Sequence, residues 1–368
     1  MKAKQPFVIL SSGGTGGHMS PAQALASDLV ARGFRVELIT DPRGLKFETL
    51  FAGIPVHVIP SGTLGAGLVN KIKGAANLGL GMMRAYALVR RLNPDLVVGF
   101  GGYPSVPGVF AAQRLGITTI IHEQNAIIGR ANAFLARRAN RIALSWPEIQ
   151  GLEEADKERA VVTGNPVRAD ITALYSQAYP PLSDNGPLRI FIMGGSLGAS
   201  VFSGVVPKAL ARLLPDHRAR LEIIQQCREA ELEATRAVYQ QVGIKATLAP
   251  FFTDVAGELA RAHLVIGRSG ASTVAEVTTA GRPAIFVPYP HHKDQQQKIN
   301  ADAVSDAGGA WTMTESGFTP DALLARIETF LQNPSVLFRA AEKARSCGKP
   351  DAARKLGNLV TEMVTGWA

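Results

Sequence analysis

The chain has 368 residues, 46% of them hydrophobic and 19% charged, with a formal net charge of +9. That length favours two domains, and the composition fits a soluble globular chain with ample core. A basic balance suits nucleic acid, an anionic membrane surface or phosphorylated substrates, but only 7% of residues are aromatic and no basic cluster is interleaved with them, so nucleic acid is not expected as a partner.

Met1–Pro6 runs straight into a first strand, with too few apolar residues for a signal peptide. No run reaches ~18 apolar residues without glycine, proline or charge, so any membrane contact is expected to be peripheral. Cys227 and Cys347 lack metal-ligand spacing and read as free thiols of a reducing compartment.

Phe7–Leu10 reads as a buried parallel strand. Ser11-Ser12-Gly13-Gly14-Thr15-Gly16-Gly17-His18 follows, and then a helix predicted to take Ser20 as its cap and Pro21 as its first residue. Glycines between strand and helix let backbone N–H groups approach a ligand, and a helix start favours negative charge, so the loop is built for phosphate. His18 adds a group that can exchange a proton near neutral pH.

Further strands are expected at Arg35–Thr40, Val56–Ile59, Asp95–Phe100, Thr118–Ile121, Arg141–Leu144 and Ala160–Val162, alternating with helices, which predicts one doubly wound parallel sheet. Segment 62–91 mixes Leu80, Met82, Met83 and Tyr86 with Lys71, Lys73, Arg84 and Arg90. By itself it reads either as a core helix with wet charges or as a surface for anionic lipid. Gly101-Gly102-Tyr103-Pro104-Ser105 and His122-Glu123-Gln124-Asn125 fall at the carboxyl ends of strands, with Asn132 on the next helix. Both are turn chemistry or part of the ligand-binding edge.

Residues 179–187 are rich in turn formers and suggest a linker. The opening pattern then recurs: strand Leu188–Met193, glycine turn Gly194–Ala199, helix. Strands Leu221–Gln225, Ala246–Ala249, Leu264–Ile266 and Ala284–Val287 complete a second sheet. The predicted architecture is α/β, two Rossmann-like domains with a cleft between them. The boundaries are 1–168, a linker at 169–187, and 188–344, with a tail helix at about 345–368 packing back on the first domain.

In Gly267-Arg268-Ser269-Gly270-Ala271-Ser272-Thr273-Val274-Ala275-Glu276, Ser269, Ser272 and backbone N–H groups could hold a diphosphate and Glu276 two ribose hydroxyls. The plainer reading makes Ser269 a cap and Glu276 an ordinary helix residue. The polar run from His291 to Asn300 suits a sugar, while adjacent His291 and His292 lack a third partner for a metal.

Seven motifs in order carry a resemblance: Gly13–His18, Gly101–Tyr103, His122–Asn125, Gly164-Asn165-Pro166-Val167-Arg168, Gly194–Ala199, Arg268–Ala271 and His292-Lys293-Asp294. The set resembles the MurG glycosyltransferases, the GT-B enzymes of bacterial peptidoglycan synthesis that add N-acetylglucosamine to lipid I. The resemblance implies UDP-N-acetylglucosamine as donor, lipid I as acceptor, and work at the cytoplasmic face of the inner membrane, attached peripherally to its anionic surface. It leaves room for cell-wall synthesis and division proteins as partners. Carried over by position, Ser196 and the run Ala271, Ser272, Thr273, Val274, Ala275 and Glu276 would take diphosphate and ribose. Arg268 would approach the nucleotide, Phe252 the uracil, and Gln296 and Gln297 the sugar hydroxyls. Thr15, Gly16, Gly17, Asn125 and Arg168 would complete the donor site. Gly14, Tyr103, His122 and Asn132 would lie on the acceptor side. Leu197 and Ser272 stand where the family often has Gln and Leu.

The reaction so implied is displacement of UDP by the C4 hydroxyl of N-acetylmuramic acid. His18 is the expected general base, because an imidazole ordinarily titrates near ~6.5, and Glu123 is the rival. With no Asp-x-Asp pair in the chain, no metal cofactor is expected. The readings kept beside this one are a UDP-N-acetylglucosamine 2-epimerase, a GT-B transferase acting on another lipid acceptor, and a catalytically silent nucleotide-sugar-binding protein.

Overall fold

A computed structural model describes residues 5–62, 68–195, 199–291 and 294–366, the side chains at 68–73, 75 and 76 excepted. The chain divides into two compact units, Met1–Arg168 with Pro350–Ala368, and Ala169–Lys349.

The first unit holds β1 (Phe7–Ser11), β2 (Arg35–Thr40), β3 (Val56–Val58), β4 (Leu96–Gly99), β5 (Thr118–Glu123), β6 (Arg141–Leu144) and β7 (Ala160–Val162). They form one sheet in the order β3-β2-β1-β4-β5-β6-β7. Every pair is parallel, with Val8 opposite both Val36 and Leu96. Its helices are α1 (Gly16–Ala31), α2 (Leu68–Leu92), α3 (Gly102–Arg114), α4 (Arg130–Ala136) and α5 (Glu154–Lys157).

Alternate residues of these strands serve opposite faces, as a period of two requires. Ile9, Val97, Ile121 and Ile142 pack with Ala85, Val89, Val109 and Leu135 of α2, α3 and α4. Val8, Leu10, Val98 and Ile120 pack with Leu25 and Leu29 of α1 and with Leu356 and Val360 near the chain's end. A sheet covered on both faces explains why the strands read as continuous apolar runs.

The second unit opens with α6 (Ala169–Thr172) and then carries β8 (Leu188–Met193), α7 (Ser200–Leu210), α8 (Pro215–Ala219), β9 (Leu221–Gln226), α9 (Leu232–Gln241) and β10 (Lys245–Ala249). It continues with α10 (Val255–Arg261), β11 (Leu264–Gly267), α11 (Ala271–Thr279), β12 (Ala284–Phe286), α12 (Gln296–Asp306), β13 (Ala310–Thr312), α13 (Pro320–Gln332) and α14 (Ser335–Cys347). Its sheet is β10-β9-β8-β11-β12-β13, again wholly parallel. Ile190, Ile192, Ile223, Leu264, Ile266 and Ile285 bury against Phe202, Val206, Leu323 and Phe330.

The last helix, α15 (Ala352–Thr365), belongs to the first unit. Arg32 of α1 reaches Asn358 at 2.8 Å and the Arg354 carbonyl at 3.1 Å. A β-carbon on Gly357 would stand 1.9 Å from Asp28 Oδ2, so glycine lets the two helices approach. Burying Leu356, Leu359 and Val360 contributes roughly 1.5–3 kcal/mol per side chain to this packing. Among the described residues, no helix is long and apolar enough to cross a membrane.

Candidate active site

The first glycine turn is supported from below by a residue that sequence reasoning missed. Asp41 follows β2 and is 2% exposed. Its Oδ1 accepts the Gly14 N–H at 3.1 Å and the Gly44 N–H at 3.0 Å, while its Oδ2 takes Arg43 Nε at 2.7 Å and Ser61 Oγ at 3.0 Å. Gly14 has φ +82°, a left-handed conformation that favours glycine. The one signal for Asp41 in the sequence is its place at the carboxyl end of a strand.

The expected helix start at Pro21 is corrected. α1 begins at Gly16 with Thr15 at its N-cap, and Pro21 lies inside it. The Thr15 carbonyl already accepts from the His18 and Met19 N–H groups, both at 3.2 Å. His18 is therefore the third residue of the helix, not the last of the loop. No side chain caps α1, and no acidic residue stands in its first turn. Thr15, Gly16 and Gly17 thus form a helix start of the kind that takes an anion.

β5 runs two residues further than expected, so His122 and Glu123 are strand residues pointing to opposite faces. Each Glu123 oxygen is committed twice. Oε1 accepts from the Asn125 N–H at 3.0 Å and Asn125 Nδ2 at 3.2 Å. Oε2 accepts from the Gly129 N–H at 2.9 Å and Asn132 Nδ2 at 2.8 Å. Asn132 Nδ2 also meets the His122 carbonyl at 3.0 Å. His122 is fully buried against Phe100, ring centroids 5.6 Å apart, and burial pushes its imidazole down to about 4. His18 Nδ1 lies 3.1 Å from Gln124 Oε1. Gly101 and Gly102, at φ +78° and +68°, carry the chain from β4 into α3, where Tyr103 is the second residue. A β-carbon on Gly102 would stand 3.2 Å from His18 Nε2. These residues bring His18, Gln124, His122, Glu123, Asn132 and the Gly101–Tyr103 turn into one cluster. Asn165 is 6% exposed and neither its Nδ2 nor its Oδ1 has a partner among the described residues. Arg168 is the last residue of this stretch of the first unit.

In the second unit, Gly195 has φ +77°. Gln226, at the end of β9, holds the turn by accepting the Gly194 N–H at 3.1 Å and donating to the Gly195 carbonyl at 3.2 Å. Ser196, His292 and Lys293 lie outside the described residues. Helix α11 has Gly270 at its N-cap, no side-chain cap and no acid in its first turn. Ala271, Ser272 and Thr273 are half-buried there, with Glu276 one turn on and 9% exposed. Val274 points into the core and its N–H already bonds the Gly270 carbonyl at 3.0 Å, so neither group faces outward.

Ser269 is neither cap nor ligand group. It is fully buried and donates to the Gln297 carbonyl at 2.7 Å, tying the starts of α11 and α12 together. Gln297 Oε1 accepts the Tyr289 N–H at 2.9 Å, and Gln296 Nε2 donates to Asp294 at 2.8 Å. Arg268 pairs with Glu315 and donates to the Val287 and Pro288 carbonyls at 3.0 and 3.2 Å. Its guanidinium is spent on the segments that follow β12 and β13. Phe252 stands edge-on to Phe191 of β8, centroids 5.8 Å apart.

Each unit places a glycine turn and an uncapped helix after one central strand of a wholly parallel sheet, the Rossmann-like α/β class in which ligands meet the carboxyl ends of the strands. The model of the glycosyltransferase family 28 N-terminal domain matches residues 8–144, and that of its C-terminal domain matches residues 189–356. The chain is 53% identical to the UDP-N-acetylglucosamine--N-acetylmuramyl-(pentapeptide) pyrophosphoryl-undecaprenol N-acetylglucosamine transferase of Rhodospirillum centenum, covering 96% of this chain and 93% of that protein. It is 47% identical to the protein of the same name from Paramagnetospirillum magneticum, covering 99% and 98%. The crystal structure of Acinetobacter baumannii MurG superposes with a TM-score of 0.77 at 33% identity, covering 97% of this chain and 99% of that one. The chain belongs to the MurG family of GT-B glycosyltransferases and is an N-acetylglucosaminyltransferase.

Proposed function

We propose that the protein moves N-acetylglucosamine from UDP-N-acetylglucosamine to the C4 hydroxyl of N-acetylmuramyl-pentapeptide on undecaprenyl diphosphate, turning lipid I into lipid II for peptidoglycan synthesis. The observation that carries this reading is the 53% identity, over 96% of the chain, to a transferase named for that donor and acceptor. The first unit takes the acceptor through Gly14, His18 and Tyr103, with the buried His122 and Asn132 supporting them from behind. The second takes the donor.

The chemistry is an inverting displacement. The C4 oxygen bonds to the anomeric carbon, the carbon–oxygen bond to the diphosphate breaks, and UDP leaves with the electron pair. His18 takes the hydroxyl proton on Nε2. Its position on the first turn of α1, 3.1 Å from an acceptor at Nδ1, supports that role. Glu123 acts instead as the pin of its loop, since protonating a carboxylate that accepts four N–H bonds would break part of that set. The uncapped first turn of α11, with Ala271, Ser272 and Thr273, meets the charge that develops on UDP. Ser196 and the start of α7 act with it. Glu276 accepts from the ribose, Phe252 lies against the uracil, and Gln296 and Gln297 hold the sugar. Thr15, Gly16, Gly17, Asn125 and Arg168 complete the donor's surroundings, and Arg268 shapes them through the loop it pins. Amide dipoles serve where other glycosyltransferases use a cation, so no metal cofactor takes part.

The enzyme works at the cytoplasmic face of the inner membrane, held peripherally, where cell-wall synthesis and division proteins are its neighbours. A groove of about 300 Å³ lined by Met82, Met83, Tyr86, Phe110, Ala111 and Arg114 supports contact with anionic lipid. Met83 is 67% exposed, and Phe134, stacked on Phe110, is 53% exposed.

The test is UDP release from UDP-N-acetylglucosamine with and without lipid I, with the sugar product identified. Release that requires lipid I and yields lipid II is expected. Epimerised donor, turnover with another lipid alone, or none at all would overturn the reading.

A further inference from the structure

Gln124 is 1% exposed and stands between two histidines. Its Nε2 lies 3.1 Å from the Phe100 carbonyl, 3.1 Å from the His122 carbonyl and 3.0 Å from His122 Nδ1. Its Oε1 lies 3.1 Å from His18 Nδ1. Only one orientation of this amide fits. Turned over, its oxygen would face two carbonyl oxygens in a dry setting, which is costly. Oε1 therefore accepts, and the proton between it and His18 stands on His18 Nδ1.

The far end of the chain is fixed independently. His122 Nε2 lies 3.0 Å from the Gly164 carbonyl, which can only accept. The His122 proton is on Nε2, and its Nδ1 lone pair faces the Gln124 amide nitrogen. Burial keeps this imidazole neutral near pH 7 and so keeps that lone pair in place.

We propose that Gln124 and His122 are positioning residues that set the tautomer of His18, holding its proton on Nδ1 so that Nε2 presents a lone pair to the acceptor hydroxyl. The inference rests on the reading of His18 as general base and deepens it. A free histidine side chain prefers its proton on Nε2, the form that could not take the hydroxyl proton there. The Gly164, Phe100 and His122 carbonyls together reverse that preference. No proton passes along the chain. After the hydroxyl proton arrives on Nε2, the Nδ1 proton still bonds Gln124 Oε1, which steadies the imidazolium.

The test uses the full chain labelled with 15N-histidine, with the ring nitrogens read by long-range proton–nitrogen correlation and His18 assigned by its loss in His18→Ala. The expected spectrum shows His18 protonated on Nδ1 and His122 on Nε2. In Gln124→Met, similar in length but without the amide, His18 moves its proton to Nε2. Turnover then falls about 10- to 100-fold with the KM for UDP-N-acetylglucosamine unchanged, a weaker version of the loss seen when a triad histidine is left in the wrong tautomer. His18 protonated on Nε2 in the unsubstituted protein overturns the proposal, whether or not Gln124→Met folds. Unchanged turnover in Gln124→Met, beside a His18→Ala enzyme that has lost its own, overturns the positioning role alone. Undiminished turnover in His18→Ala overturns the base reading instead.

Discussion

The carboxylate of Asp41 lies directly beneath Gly14 and accepts its N–H at 3.1 Å. A β-carbon added to the neighbouring Gly13 would stand 2.8 Å from the same oxygen and 2.8 Å from Pro104 Cβ. The first turn is thus a close fit between a glycine backbone and a buried acid one strand away.

Gly13→Ala is expected to force that acid or Pro104 aside, at about 1–3 kcal/mol of stability for an overpacked site. Turnover should fall more than the melting temperature suggests, because the turn sets the start of the helix that carries His18. Chemical denaturation and steady-state rates on the same sample check this. Full turnover would contradict it.

Gly102 and Gly116 separate strain from site geometry. Both have positive φ, +68° and +73°. A β-carbon at Gly116 meets nothing within 4 Å, whereas at Gly102 it comes within 3.2 Å of His18 Nε2. Gly116→Ala should cost only the roughly 1–2 kcal/mol of a left-handed alanine and leave turnover intact. Gly102→Ala should cost as much and also lower kcat. Equal rates in the two variants would argue against a working role for Nε2.

Glu123 and Glu276 are expected to respond differently to loss of charge. Glu123→Gln would set an NH2 group against N–H donors at a buried site, costing on the order of 2–3 kcal/mol. Glu276→Gln should weaken donor binding, about 10-fold for one charged hydrogen bond. Melting curves and titration with UDP-N-acetylglucosamine distinguish the two.

Acid stability follows from two dry histidines. His122 and His263 are both fully buried, and burial pushes both imidazoles down to about 4. The unfolded chain protonates them near ~6.5, so between that value and about 4 it binds more protons than the fold. Stability is complete above the window and falls as pH drops through it, by up to roughly 1.4 kcal/mol per pH unit for each histidine. Urea midpoints measured from pH 7 to pH 5 should decline, and His263→Gln should flatten the slope. A midpoint independent of pH would count against both.

Much of this was legible in the sequence. Buried parallel strands announce themselves as apolar runs, and the two glycine turns mark where the carboxyl ends of the central strands lie. β13 was missed, since three residues at a sheet edge carry little pattern. The start of α1 was misread because Pro21 is a strong signal for a first helical position, and only the Gly14 turn shows that the helix has already begun. Ser269 looked like a cap but donates to a carbonyl 28 positions on. Asp41 and Gln226 support their turns from neighbouring strands, 27 and 32 residues from the N–H groups they accept. Such contacts are made by sheet order and leave no local periodicity to read. His122, Glu123 and Gln124 stand out as polar residues at a strand end, but only the folded sheet separates their duties.

The most direct test of the account is turnover of His18→Ala with lipid I, measured beside its affinity for UDP-N-acetylglucosamine. The account predicts a rate loss of about 10²–10⁴-fold, the usual worth of a positioned base, with donor affinity preserved. Near-normal turnover would remove His18 as the base, and a lost rate matched by lost donor binding would make it a binding residue instead.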